Sequence, residues 1–300
     1  MKKNPQIKGI QVALVTPFTE DGSRIDEPLL RAHIERLIAA GVHGIVPTGS
    51  TGEFTALTLE EHKRVTEVCV EAAAGRITVI PGTGSLATEN AVELSRHASE
   101  AGADAIMVVP PFYEGMSPQE LSTYLRDISR VVDVPIVYYN IPGATGVKLS
   151  PEELSELSKI DGVRYLKDTS GDAVALGALL SRYSDRITAF NGWDTLTFYA
   201  LAAGAEAAVW GAANFIPELA VQLWEAVAER KDLEAGRKLW ARIWPICDFL
   251  ESHNYCAGIK AGLDVVGHSA GPARRPTLAL GADECATLAQ LLKNAGVAVA

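Results

Sequence analysis

A short apolar run closed by a polar turn and followed by an amphipathic helix recurs eight times between Ile10 and Glu229. Runs this short and this apolar read as parallel strands buried on both faces, and each helix as the crossover to the next strand. The first run, Ile10 to Val15, stops at Thr16-Pro17-Phe18; Asp26 then caps a helix carrying Leu29, Leu30, Ile34, Leu37 and Ile38 at helical spacing. Further strands are predicted at 43–46, 77–80, 105–109, 135–139, 162–167, 187–190 and 207–209. Thr58-Leu59-Glu60-Glu61, Ser117-Pro118-Gln119-Glu120 and Ser150-Pro151-Glu152-Glu153 are capping boxes that open three of the helices. Eight such units are the number that closes a (β/α)8 TIM barrel. The competing doubly wound sheet needs fewer units, and no GxGxxG follows the first strand. Residues 1–230 therefore read as the catalytic α/β barrel and 231–300 as a C-terminal helical extension, helical near 233–250, 255–267 and 283–294. Its Trp240 and Trp244 read as a packing stripe.

The totals narrow the setting. A net charge of −10 offers no basic face to nucleic acid. No apolar run approaches the ~20 residues of a membrane span. Cys69, Cys247, Cys256 and Cys285 have no CxxC or zinc spacing and read as reduced thiols. The opening Met-Lys-Lys-Asn-Pro-Gln-Ile-Lys lacks the apolar segment of a signal peptide. The expectation is a soluble, cytoplasmic protein with neither nucleic acid nor membrane as partner.

In a barrel the chemistry sits at the C-terminal ends of the strands. Those ends here carry Thr16, the Gly49–Glu53 turn, Gly82, Tyr113, Tyr139, Lys167, Gly192 and Val209. In Gly162-Val163-Arg164-Tyr165-Leu166-Lys167-Asp168, a period of two puts Val163, Tyr165 and Lys167 on one face. Burial of that face would disfavour the charged amine and make Lys167 a nucleophile toward a carbonyl; read by itself, such a lysine merely ends a strand. With Val137 inside the barrel, Tyr139 points inward and Tyr138 outward. The Gly-Ser-Thr-Gly-Glu turn is either an ordinary strand-to-helix loop or an oxyanion nest of exposed N–H groups and hydroxyls. The strand ends carry no cluster of histidines or carboxylates suited to a metal, and no cofactor is expected.

The set Ala-Leu-Val-Thr-Pro-Phe (13–18), Gly-Ser-Thr-Gly-Glu (49–53), Pro-Pro-Phe-Tyr (110–113), Tyr-Asn-Ile-Pro (139–142), Tyr-Leu-Lys-Asp (165–168) and Asn-Gly-Trp-Asp (191–194) resembles the dihydrodipicolinate synthase and N-acetylneuraminate lyase superfamily. The resemblance runs from residue 9 to about 280. It implies a class I lyase in which Lys167 forms an iminium with pyruvate or another 2-keto acid, Ser50 and Thr51 hold the carboxylate, and Tyr139 shuttles protons through Ser50 and Tyr113. It also implies that Tyr113 arrives from a neighbouring subunit of a homo-oligomer, a dimer or tetramer, and that Gly192, Asp194 and Val209 line the substrate.

Two departures bear on the substrate. Dihydrodipicolinate synthases carry an arginine for the second reactant's carboxylate where this chain has Ala144, and a charge-assisted contact contributes roughly 1.5–3 kcal/mol. Sialic acid lyases have Tyr-Asp-Glu and a serine where this chain has Trp193-Asp194-Thr195 and Gly211. The sequence reading is thus a Schiff-base aldolase or dehydratase of a small hydroxylated 2-keto acid. Authentic 4-hydroxy-tetrahydrodipicolinate synthase is the alternative within the enzyme class, and a non-catalytic keto-acid-binding barrel the alternative outside it.

Overall fold

The computed structural model describes residues 6–300, so most of the charged opening segment lies outside the described residues. The predicted units form eight strands: β1 (Gly9–Ala13), β2 (Gly44–Val46), β3 (Thr78–Val79), β4 (Ile106–Val108), β5 (Ile136–Asn140), β6 (Val163–Asp168), β7 (Thr188–Asn191) and β8 (Ala207–Trp210). All pairings between them are parallel, in the order β3-β2-β1-β8-β7-β6-β5-β4. A parallel bridge between Gly82 and Met107 joins the two ends, with Thr83 N donating to Met107 O at 2.8 Å. The sheet is therefore a closed cylinder, and closure leaves no unpaired edge.

The helices on its outside are α1 (Glu27–Ala39), α2 (Leu59–Ala73), α3 (Thr88–Ala101), α4 (Pro118–Ser129), the single turn α5 (Pro142–Thr145), α6 (Pro151–Glu156), α7 (Ala173–Arg182), α8 (Thr197–Ala202) and α9 (Pro217–Trp224). Asp26 caps α1 through Leu29 N, and all three capping boxes form, at Thr58, Ser117 and Ser150. The helix predicted for 217–229 is α9 only to Trp224 and continues as a π-helical turn, Glu225–Glu229.

Side chains divide by strand face. Val137, Tyr139, Tyr165, Phe190, Ala207 and Val209 fill the cylinder, where Tyr165 stacks on Phe190 at 5.2 Å. Tyr138, Leu166 and Ile136 pack outward under the helices. Val163 corrects the simple alternation: it packs with the outward set, not with Tyr165 and Lys167. The register shifts here, Ile136 facing Val163 while Val137 faces Tyr165, so Arg164 is an extra residue in β6. This is a β-bulge, and it resets the phase of the strand before the lysine.

The C-terminal segment folds as α10 (Leu233–Glu251), α11 (Tyr255–Val265) and α12 (Ala282–Asn294). It has no core of its own. Trp240, Ile243, Ile246, Leu250, Ile259 and Leu288 join the same apolar cluster as Val12, Leu30, Val65 and Trp210 from the barrel. Trp240 lies 6.3 Å from Trp210, centroid to centroid, so Trp210 points outward into this packing. Trp244 is 40% exposed and falls outside the buried stripe.

Candidate active site

Lys167 and Tyr139 stand on adjacent strands in register with one another, and Phe190 of β7 is the register partner of Lys167 on its other side. The Lys167 nitrogen sits over the face of the Tyr139 ring, 4.0 Å from its centroid. Both side chains are buried, and Lys167 makes no ion pair among the described residues. Gly192 is required by this arrangement, because a Cβ there would lie 2.5 Å from Lys167 Cε and 2.3 Å from Thr169 Oγ1. Next to Lys167 at the top of β6, Asp168 points the other way and accepts from Asn140 Nδ2 at 2.6 Å and from Ser170 Oγ at 2.9 Å, fixing the end of β6 to β5. Burial raises its carboxyl, and those two hydrogen bonds oppose the rise.

The turn after β2 forms the facing wall. Thr48 and Glu53 hold left-handed backbone at either side of it, φ +53° and +57°. Between them the amides of Ser50 and Thr51 donate to nothing within the described residues. Thr16 Oγ1 donates to Gly52 O at 2.7 Å, so Thr16 acts behind the turn and not at its face. Glu53 is buried and paired with the equally buried Lys260 of α11 at 2.8 Å, and it accepts from Arg274 N at 2.7 Å. Lys260 Nζ also donates to Pro272 O at 2.7 Å, and Arg274 binds both oxygens of Glu61 at 2.6 Å. The C-terminal segment thus clamps the turn from outside.

These walls enclose a cavity of about 250 Å³ lined by Ser50, Thr51, Tyr139, Lys167, Gly192, Asp194 and Val209, every one singled out in the sequence. Tyr113 is not brought there: its side chain is 88% exposed in the loop after β4, beside Phe112, which meets Phe54 edge-on. Ala144 is also absent from the lining and lies exposed on α5.

Sequence reasoning missed two lining residues, Glu251 and Tyr255, which enter from the α10–α11 corner. Tyr255 donates to Asp194 Oδ2 at 2.6 Å, and Glu251 takes hydrogen bonds from Thr195 N at 3.0 Å and Thr195 Oγ1 at 2.7 Å. Burial pushes the Asp194 carboxyl up to about 7; the Tyr255 hydrogen bond opposes this and the nearby Glu251 adds to it. Burial likewise raises Glu251, against its bonds from Thr195. The signal available in the sequence was the break between two helical patterns at Ser252-His253-Asn254, which brings the end of one and the start of the next together.

A closed parallel barrel with its cavity at the C-terminal strand ends, and a lysine rising from the sixth strand into that cavity, defines the class of (β/α)8-barrel lyases. The comparison with known proteins is specific. The model of the Dihydrodipicolinate synthetase family matches residues 6–295, and the chain belongs to that family. It is 37% identical to the 4-hydroxy-tetrahydrodipicolinate synthase of Methanopyrus kandleri over 97% of each chain. It is 36% identical to that of Pelobacter propionicus, over 97% of this chain and 99% of the relative. Among solved structures it matches the chloride-inhibited dihydrodipicolinate synthase of Acinetobacter baumannii complexed with pyruvate, with a TM-score of 0.93 at 31% identity, covering 98% and 100% of the two chains. The enzyme from Aquifex aeolicus aligns with a TM-score of 0.91 at 30% identity over 98% and 99%. The chain is an aldolase-type lyase. Among the described residues no helix is long and apolar enough to cross a membrane.

Proposed function

We propose that the chain acts on pyruvate or a small hydroxylated 2-keto acid through a Lys167 iminium. The observation that carries this is the buried Lys167 nitrogen, without an ion pair among the described residues and held over Tyr139, in a cavity also lined by Ser50 and Thr51, whose amides have no acceptor among the described residues. Ser50 and Thr51 hold the substrate carboxylate, as a nest of N–H groups holds an anion. The Lys167 amine adds to the keto carbon and the carbinolamine loses water. The resulting iminium withdraws electrons from C3, so that a C3 proton is lost or the C3–C4 bond breaks to an enamine. Tyr139 relays the protons. Incubation with pyruvate and borohydride should leave a reduced adduct on Lys167 by peptide mass spectrometry. A Lys167→Ala variant that still turned over would remove the mechanism.

For the second reactant, the relatives' names favour 4-hydroxy-tetrahydrodipicolinate synthesis over the broader sequence reading. One observation favours the broader reading. Ala144 has no group for a second carboxylate, and Lys167 is the one cationic side chain in the cavity lining. A coupled assay with pyruvate and aspartate semialdehyde, run beside a panel of 2-keto acids scored for pyruvate release and water loss, separates them.

We also infer a cytoplasmic homo-oligomer. The exposed Tyr113 supports the assembly, since its ring is 88% exposed and does not line the cavity of its own chain, and the four free cysteines fit a reducing compartment. Sedimentation at micromolar concentration tests the assembly.

A further inference from the structure

A second cleft, of about 380 Å³, lies on the flank of the barrel between α1 and the turn after α11, and it shares no lining residue with the Lys167 cavity. Small-ligand sites usually measure roughly 300–1,000 Å³. Leu29, Ala32, His33 and Arg36 line it from α1, and His268 and Ser269 from the turn; no carboxylate is in the lining.

Arg36 carries the chemistry. Its Nη2 donates to Asn214 O and, at 3.3 Å, to His33 Nδ1. With Nδ1 accepting, His33 Nε2 carries the proton and donates to Asn214 Oδ1 at 3.0 Å. Asn214 in turn donates to Ala13 O and Gly211 O, each at 2.8 Å. One nitrogen of the guanidinium is thus tied to the C-terminal ends of β1 and β8. The other two are unspent: Nε is enclosed without an acceptor, and Nη1 donates to nothing among the described residues. Arg36 forms no ion pair there either, and Glu218 of α9, whose charge reaches it, stands too far off to pair. Burial draws the Arg36 pKa down and Glu218 opposes the shift. His33 stays neutral, lowered to about 4 by burial first and by the Arg36 charge next, so the cleft's positive charge sits on Arg36. A partly desolvated cation with unspent donors and no counter-charge is costly, and an anion seated beside it removes that cost.

We propose that this cleft binds a small monocarboxylate, its head on Arg36 and the His268 imidazole and its short carbon chain against Leu29 and Ala32. The proposal does not rest on the Lys167 reading. A guanidinium presents N–H groups at the spacing of a carboxylate's two oxygens. The exposed His268 ring makes no hydrogen bond among the described residues and has an N–H to give the same anion. The apolar wall favours a carbon chain over a bare inorganic ion. A neighbouring cleft on the other side of Arg36 and His268 is lined by Glu218, a like charge to any anion, which places the ligand on the α1 side.

The probe is butanoate, which has no keto carbon for Lys167, titrated into the purified protein by calorimetry at constant ionic strength. The expected Kd is on the order of 1 mM. Acetate, with two methylene groups fewer to bury, should bind about tenfold more weakly. Truncating Arg36 also releases Asn214, so the decisive variant leaves Arg36 in place. Ala32 is exposed on α1 and lines the cleft, and Ala32→Glu sets a carboxylate four residues before the arginine, where the two can pair along the helix. That variant should keep or raise the wild-type Tm in carboxylate-free buffer while its affinity for butanoate falls at least about tenfold. Arg36→Gln should lose the same binding. Unchanged butanoate affinity in both variants would place the probe elsewhere, at the Ser50–Thr51 turn for example, and overturns the proposal. Equal affinity for butanoate, acetate, phosphate and chloride, the mark of an unselective ion site, overturns it too, as does no binding at concentrations well above that Kd.

Discussion

At the Ser50–Thr51 end of the cavity the free polar groups are donors, two amides without a partner among the described residues. At the α10–α11 end they are acceptors, two carboxyls and a phenol whose proton is already given to Asp194. The supports differ in the same sense. The donor end is braced from behind by the buried Glu53–Lys260 pair and the Arg274 fork on Glu61. The acceptor end is braced by hydrogen bonds between its own lining residues, Glu251 on Thr195 and Tyr255 on Asp194. A pocket polarised this way can hold an unsymmetrical molecule in one orientation. The comparison also shows why the C-terminal segment cannot be a detachable appendage: it buttresses one end of the site and forms part of the other.

The comparison can be broken in several places. The largest effect is expected for Lys167→Ala, with kcat/KM reduced at least ~10³-fold and the borohydride adduct lost, because no second amine lines the cavity. Tyr139→Phe comes next, lowering kcat by roughly 10²–10⁴-fold while pyruvate still condenses with the lysine, as measured by steady-state rates beside trapping yield. Lys260→Met should destabilise the fold by roughly 3–5 kcal/mol, since it strands the buried Glu53 carboxylate, and urea unfolding reads it directly. That change should loosen the Ser50–Thr51 turn and raise KM for the keto acid. The smallest effect is a slope with pH. Asp194 holds its proton up to about 7 in the folded protein, whereas an unfolded chain releases it near 3.8. The native state therefore binds more protons in that window, and the stability from this group, whole below about pH 4, is lost as the pH rises toward 7. Urea midpoints at pH 5 and pH 8 should converge in Asp194→Asn relative to the wild type.

Much of the fold was legible because each unit repeats the same local signals. Thr58, Ser117 and Ser150 each announce a helix by a hydroxyl and a glutamate three residues on, and each box forms as read. Strand-end position then gathers Ser50, Tyr139, Lys167, Gly192 and Val209 from turns far apart in the chain, because parallel strands in a barrel share one polarity. Three features escaped this logic. The bulge at Arg164 breaks a strict period of two, and its only trace is an exposed arginine in an otherwise buried strand. Glu251 and Tyr255 lie outside the repeating units, so strand-end reasoning never reaches them. The third is Tyr113, which follows the fourth strand in sequence yet stays exposed and outside the cavity lining, a matter of loop conformation that apolar periodicity does not encode.

Gly211 and Tyr255, 44 positions apart by their numbers, compete for one volume. Any side chain introduced at the glycine evicts the ring, and shrinking the ring alone opens a hole beside the Asp194 carboxyl. The two sites are therefore tied as a single trait: Gly211→Ser should be harmful in this background and tolerated once Tyr255→Ala is already present, so a descendant of this chain can reach a different pocket by one order of steps and not by the other.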